Sequence, residues 1–240
     1  MSRTTVLLLC QLLVSLSVGW GLSVISDAGP NEFPYVVKLT IRGLPYSYTE
    51  AAVVVSKKYI ISSGGFSSIA PANMSVTDQS GKVRPVARVQ PIVSDNFSSL
   101  KVCEKFRGAT MPMTASSFND LSADVNSTAF LLLFNASSHV LRKLPASVMK
   151  TASCPAADGG KYICTYQDFT PGYCSFLSDS ETTPTYDNWA LITIGSQVQG
   201  YLYSIYCDFS TGTVNDTWLF NNYGYYRQSI IAEIPEVDIK

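Results

Sequence analysis

Short runs of β-branched, aromatic and aliphatic residues recur along this chain between turn-forming residues, while helical periodicity is scarce. The runs are Tyr35 to Ile41, Ala52 to Val55, Tyr59 to Ile61, Ala129 to Phe134, Trp189 to Ile194 and Gly200 to Tyr206. Many short strands at roughly regular spacing predict an all-β chain built as a sandwich or a barrel. Gly195-Ser196 lies between two runs and is expected to turn a hairpin, through a tight turn or a slightly longer loop. Only the stretch from about Tyr225 to Glu233 reads as a helix, short and closing. There is no internal repeat, low-complexity tract or long linker.

The first residues set the compartment in which those strands are expected to fold. Residues 1–21 contain one basic residue, Arg3, then an apolar run from Val6 to Val18, then Gly19 and Gly21 ahead of Leu22. This is the pattern of a secretory signal peptide, too short in its apolar core to span a bilayer. Residues 22–240 are then the mature domain, about 219 residues, enough for one large all-β domain or two small barrels sharing a core. The expected location is secreted and extracellular, with no membrane association. Five Asn-x-Ser/Thr tripeptides begin at Asn73, Asn96, Asn126, Asn135 and Asn215, and behind a signal peptide they predict N-linked glycan on asparagines outside the core.

An oxidising compartment makes the cysteine count informative. Apart from Cys10 in the signal, the cysteines are Cys103, Cys154, Cys164, Cys174 and Cys207, an odd number that predicts two bridges and one thiol left over. There is no Cys-x-x-Cys pair and a single histidine, His139, so no metal site and no cofactor is expected. The net charge of −1, with acidic and basic residues interspersed, offers no basic footprint for nucleic acid.

The order of landmarks resembles the trypsin/chymotrypsin-like serine protease family. Ser26-Asp27-Ala28 followed by Phe33-Pro34-Tyr35-Val36-Val37-Lys38-Leu39 is similar to that family's start. Ala51 to Gly65 matches, without a gap, its Gly-Gly-Ser-Leu-Ile-x-x-x-Trp-Val-Leu-Thr-Ala-Ala-His strand pair. Asn126 to Leu133 resembles Asn-Asp-Ile-Ala-Leu-Leu-x-Leu. Ile163-Cys164, Cys174, Gly200 to Cys207 and Leu219 to Tyr223 follow the order of the second half. The resemblance covers roughly Leu22 to Ile231 and implies two six-stranded antiparallel β-barrels with a short C-terminal helix. It also implies bridges Cys154 to Cys164 and Cys174 to Cys207. Cys103 is then left either as a buried thiol or as the site of an intermolecular disulfide. Glu50 and Phe66 fall where the family carries a bridge beside its catalytic histidine, so both of those cysteines are missing together.

Peptide hydrolysis on that fold needs a serine, an imidazole base, a carboxylate to orient it and an oxyanion hole. The resemblance puts Gly65 at the histidine position and Ser127 at the aspartate position. Counting back from Gly200 puts Asn188 at the serine position; counting forward from Cys174 puts Ser178 there. The first register is preferred, because it keeps the hairpin in phase and retains the family's neighbouring aspartate as Asp187, although it sets Tyr186 where a glycine shapes the oxyanion hole. Signal cleavage after Gly21 would leave the Leu22 amine free to pair with Asp187.

No base is present in either register, so the resemblance implies a scaffold without catalytic residues, an inactive homologue that binds a protein as decoy, regulator or adaptor. Two alternatives remain at this point. One is an active hydrolase with a rearranged centre using Ser178 and His139. The other is a structural or carbohydrate-binding secreted glycoprotein that uses aromatics such as Tyr223-Gly224-Tyr225-Tyr226, although these are expected to pack the terminal element against the barrel.

Overall fold

A computed structural model describes residues 26–29, 31–43, 47–66, 68–93, 97–108, 129–134, 140–149, 154, 159–166, 190–195, 197–208, 215–234 and 236–237. Six strands form the first barrel: β2 (Val36–Ile41), β3 (Tyr48–Val54), β4 (Tyr59–Ser63), β5 (Met74–Thr77), β6 (Val83–Ile92) and β7 (Phe97–Val102). They close in the order β2-β3-β4-β7-β6-β5. Strand β2 shows why: Val36, Val37, Leu39 and Ile41 are buried while Lys38 and Thr40 stay partly exposed, the two-residue alternation of a strand with one wet face. Closure leaves no free edge in this barrel.

The second barrel uses β8 (Ala129–Phe134), β9 (Leu141–Val148), β10 (Tyr162–Tyr166), β11 (Leu191–Ile194), β12 (Gln197–Asp208) and β13 (Asn215–Asn222). Its strands run β9-β10-β13-β12-β11-β8, and antiparallel pairing of β8 with β9, from Ala129 opposite Ala146 to Phe134 opposite Leu141, completes the ring. A two-residue strand, β1 (Ser26–Asp27), adds to β9 and ties the preceding segment to this barrel. Glu32 reinforces the tie through Lys143, whose ammonium donates at 2.7 and 2.8 Å; that bond, with one from the Gly29 amide, holds the Glu32 carboxyl below its ordinary range.

Bulges bend both rings. Strand β6 slips register between Val86 and Arg88, and β12 between Leu202 and Ser204, adding the local twist that closure demands. Ile194 pairs with Gln197, so strands β11 and β12 form the hairpin the sequence predicts, and Gly195 takes a positive φ, 59°. Gly200 is fixed by crowding: a Cβ there would stand 2.5 Å from the Asn221 carbonyl oxygen on the neighbouring strand.

One buried cluster runs from Phe33 through the first barrel to Leu132, Leu191 and Tyr201 of the second, then on to Ile230, Ile234 and Val237. The closing helix, α1 (Arg227–Glu233), appears where the sequence predicts it and contributes Ile230 to that cluster. Tyr223 and Tyr226 pack on Phe97 with ring centroids 5.1 and 5.2 Å apart, as expected for residues that seat a terminal element, whereas Tyr225 remains exposed. Cys154 and Cys164 form the expected disulfide, with their Cα atoms 5.7 Å apart. Cys174 lies outside the described residues; Cys207 sits on β12 opposite Asp216. Cys103 is an exposed free thiol, which corrects the buried alternative: it follows the last core residue of β7, Val102, at the point where the chain leaves the barrel.

Candidate functional site between the barrels

Strand β4 ends in two serines, two glycines follow it, and the strand meets β12 of the second barrel. Ser62 and Ser63 are buried, and both hydroxyls donate to the carboxyl of Glu50 on the adjacent strand β3, Ser63 at 3.3 Å and Ser62 more closely. Glu50 is itself fully buried. Tyr201 of β12 meets this group from the other side. Burial raises its phenol well above its ordinary value, and the Glu50 carboxyl beside it raises it further. Tyr223, also fully buried, is raised for the same two reasons in the same order. A carboxyl, two serine hydroxyls and two phenols therefore meet where the barrels join.

The sequence reading missed this cluster because it treated Glu50 as one of two vacated cysteine positions. The signal was present: Glu50 is the one charged residue between Arg42 and Lys57, and it opens the buried run Glu50-Ala51-Ala52-Val53. A charged group inside such a run is costly to bury unless it is hydrogen-bonded. Ser62 and Ser63, on the strand that β3 pairs with, supply the donors. Phe66, at the other vacated position, is buried with the hydrophobic core. Hydroxyls this deep are closed to substrate, so the cluster joins the barrels and is no nucleophilic centre.

Gly65 lies just past the cluster and differs from it in every respect. It is exposed, its φ is +82°, and the space into which a Cβ would project is open to 4 Å. Left-handed backbone of this kind is accessible to glycine and costly for residues with a Cβ. The other positions assigned from the resemblance, Ser127, Asn188 and Ser178, lie outside the described residues, as do Leu22, His139, Tyr186 and Asp187. Of the five sequon asparagines, Asn73 is exposed at the end of a 3₁₀ turn and Asn215 heads β13, while Asn96, Asn126 and Asn135 lie outside the described residues. No group of three or more His, Cys, Asp or Glu side chains able to hold a metal is found among the described residues. None of their helices is long and apolar enough to cross a membrane.

Two closed six-stranded antiparallel barrels with one helix after the last strand make this the trypsin-like serine protease fold. Solved structures agree. The protease VesB of Vibrio cholerae superposes with a TM-score of 0.62 at 13% identity, over 88% of this chain and 67% of that one. Kallikrein-related peptidase 10, in complex with zinc, gives 0.58 at 13% identity over 87% and 98%. The scabies mite inactivated protease paralogue S-I1 gives 0.60 at 11% identity over 88% and 99%. No protein-family model matches the chain, and no curated protein matches it in sequence.

Proposed function

We propose that this chain is a secreted, glycosylated, non-catalytic member of the trypsin-like scaffold class that acts by binding a protein partner as decoy, regulator or adaptor. The observation that carries the reading is Gly65. At the position where the resemblance calls for the imidazole base there is an exposed glycine in left-handed backbone, which has no side chain to take or return a proton. The readings of Ser127 and of Asn188 or Ser178 point the same way, since a serine hydroxyl without a base is a poor nucleophile near neutral pH. That the fold also serves an inactivated protease paralogue of the scabies mite makes such a role a familiar one for this scaffold. A glycan on Asn126 would stand next to Ser127 and crowd the old cleft, which moves the proposed contact toward surface loops.

The test treats the secreted, disulfide-bonded protein with a fluorophosphonate serine-hydrolase probe and with a peptide library, beside a Ser178→Ala variant. The expected result is no labelling and no cleavage in either. Labelling that disappears in the variant would overturn the reading and make this an enzyme with an unconventional base.

A further inference from the structure

Charge that balances over the whole chain does not balance between its halves. Residues 22–108, which hold the first barrel, contain ten Lys or Arg and six Asp or Glu; residues 109–240 contain six and twelve. The excess of cations therefore lies in the half of the sequence that carries the first barrel. Within 51–108 there are eight cations against Asp78, Asp95 and Glu104. Glu104 is bonded to Lys82, and Asp78 to Arg84.

The remaining cations of that stretch gather on one face. Lys57 and Lys58 form the turn between β3 and β4. The Val102 amide bonds the Lys58 carbonyl at 2.9 Å, and the Phe106 amide bonds the Lys57 carbonyl at 2.8 Å. Those bonds lay the segment Cys103 to Arg107 beside the turn. Phe106 is buried, with the Arg84 guanidinium 4.7 Å from its ring centroid, so it anchors the segment while Lys105 and Arg107 on either side of it are exposed. A row across three strands continues the patch: Tyr59 is opposite Lys101, and Lys101 is opposite Arg88, with the Lys101 ammonium 5.6 Å from the Tyr59 ring centre. Lys57, Lys58, Arg88, Lys101, Lys105 and Arg107 thus share one surface of the closed barrel, Arg88 and Lys101 on strands and the other four on the turn and segment that the Lys57 and Lys58 carbonyls hold together.

We infer that this face binds a sulfated polysaccharide. Six cations of one sign, spread over strand and turn surface, suit a ligand that carries negative charge at regular intervals. The patch is rich in lysine, whereas lysine is depleted at protein–protein interfaces, where a buried apolar core supplies the affinity. The inference rests on the secreted part of the proposed function, because sulfated polysaccharide is met outside the cell; it is independent of whether the chain hydrolyses peptides.

The test measures binding of the mature secreted protein to immobilised heparin across a range of salt, with fully desulfated heparin and duplex DNA as comparison ligands. Two patch variants, Lys57→Gln/Lys105→Gln/Arg107→Gln and Arg88→Gln/Lys101→Gln, are set against Lys38→Gln/Arg42→Gln/Lys161→Gln, which removes as much charge elsewhere as the triple patch variant does. Thermal melts confirm that each variant is folded. Expected results are salt-sensitive binding to heparin, none to the desulfated polymer, and a loss of roughly 100-fold in the triple patch variant, about fivefold per cation removed near an anionic surface. The control variant should bind to within a few-fold of the parent. Equal losses in patch and control variants, no heparin binding at physiological salt, or duplex DNA binding as tightly as heparin would each overturn the inference. Failure of the secreted reading would show separately, as a chain retained in the cells that make it.

Discussion

The Glu50 cluster makes a quantitative claim about what holds the barrels together. Replacing Glu50 by Leu removes the acceptor for Ser62 and Ser63, both buried, and leaves their hydroxyls without it. A buried polar group stripped of its partner costs about 1–3 kcal/mol; Ser62 loses its acceptor outright while Ser63 keeps the Gly64 carbonyl at 3.3 Å, so the predicted loss is about 1–4 kcal/mol, a large part of a typical domain's stability. Replacing the serines as well is different in kind: Glu50→Leu/Ser62→Ala/Ser63→Ala removes both hydroxyls together with their acceptor and leaves only the Tyr201 phenol, which also bonds Glu50, without that carboxyl, so most of the penalty should be relieved. The triple variant should therefore be more stable than Glu50→Leu alone, by about 1–3 kcal/mol or more. Urea unfolding of the parent, Glu50→Leu, the Ser62→Ala/Ser63→Ala pair and the triple variant closes the cycle, provided the m-values agree. If the Glu50 and serine losses simply add, the carboxyl and hydroxyls do not act as a unit and the reasoning fails.

Gly65→His should not restore hydrolysis and should destabilise the protein by about 1–2 kcal/mol, the cost of left-handed backbone for a residue with a Cβ; peptide cleavage together with urea unfolding checks both halves. Asp78→Asn leaves Arg84, whose side chain is 2% exposed, without its countercharge at 2.6 Å, and should cost about 2–4 kcal/mol, below the full penalty for a broken buried pair because Asp78 is partly exposed. Burial pushes the Asp78 carboxyl up, but bonds from Ser80, Arg84 and the Lys82 amide outweigh it and hold the group below its ordinary 3.8. A depressed folded value stabilises the protein above the unfolded one and is lost as pH falls through it, so parent and variant stabilities should converge at acid pH below 3.8. Iodoacetamide added to the native protein should modify Cys103 without denaturant, read by peptide mass, since that thiol is exposed.

The strands legible in the sequence are those whose apolar character is continuous. Ala129–Phe134 has the same bounds in sequence and structure, and Val36–Ile41 nearly so, because aliphatic residues in a short run leave little else for the chain to do. Strands β6 and β9 were hidden by Pro85, Pro91 and Pro145, residues that cannot donate to a ladder and that argue against a strand. In β6 both prolines are exposed and the register slips between them. Strand β7 was hidden by Ser98 and Ser99, polar in composition yet buried, the latter donating its hydroxyl to the Gln90 carbonyl at 3.4 Å. The resemblance supplied what periodicity did not, namely the two barrels and the Cys154 to Cys164 bridge. Neither source pointed to Glu50, because assigning a residue by the position it fills says nothing of the bonds it makes.

The helix after β13 bears on how the protein is made. Ile230, Ile234 and Val237 belong to the cluster that begins at Phe33, and Tyr226 rests against Phe97 of the first barrel. During synthesis the first barrel emerges long before these residues do, and domains generally fold as units from the N-terminal side. The first barrel therefore waits with an apolar face uncovered until the segment from Tyr226 to Val237 has been made and has left the ribosome, and the second barrel assembles in the interval. Chaperone capture of the nascent chain should be strongest in that window: a chain stalled with Tyr226 still inside the ribosome should remain bound, while one carrying a C-terminal linker long enough to free Val237 should be released.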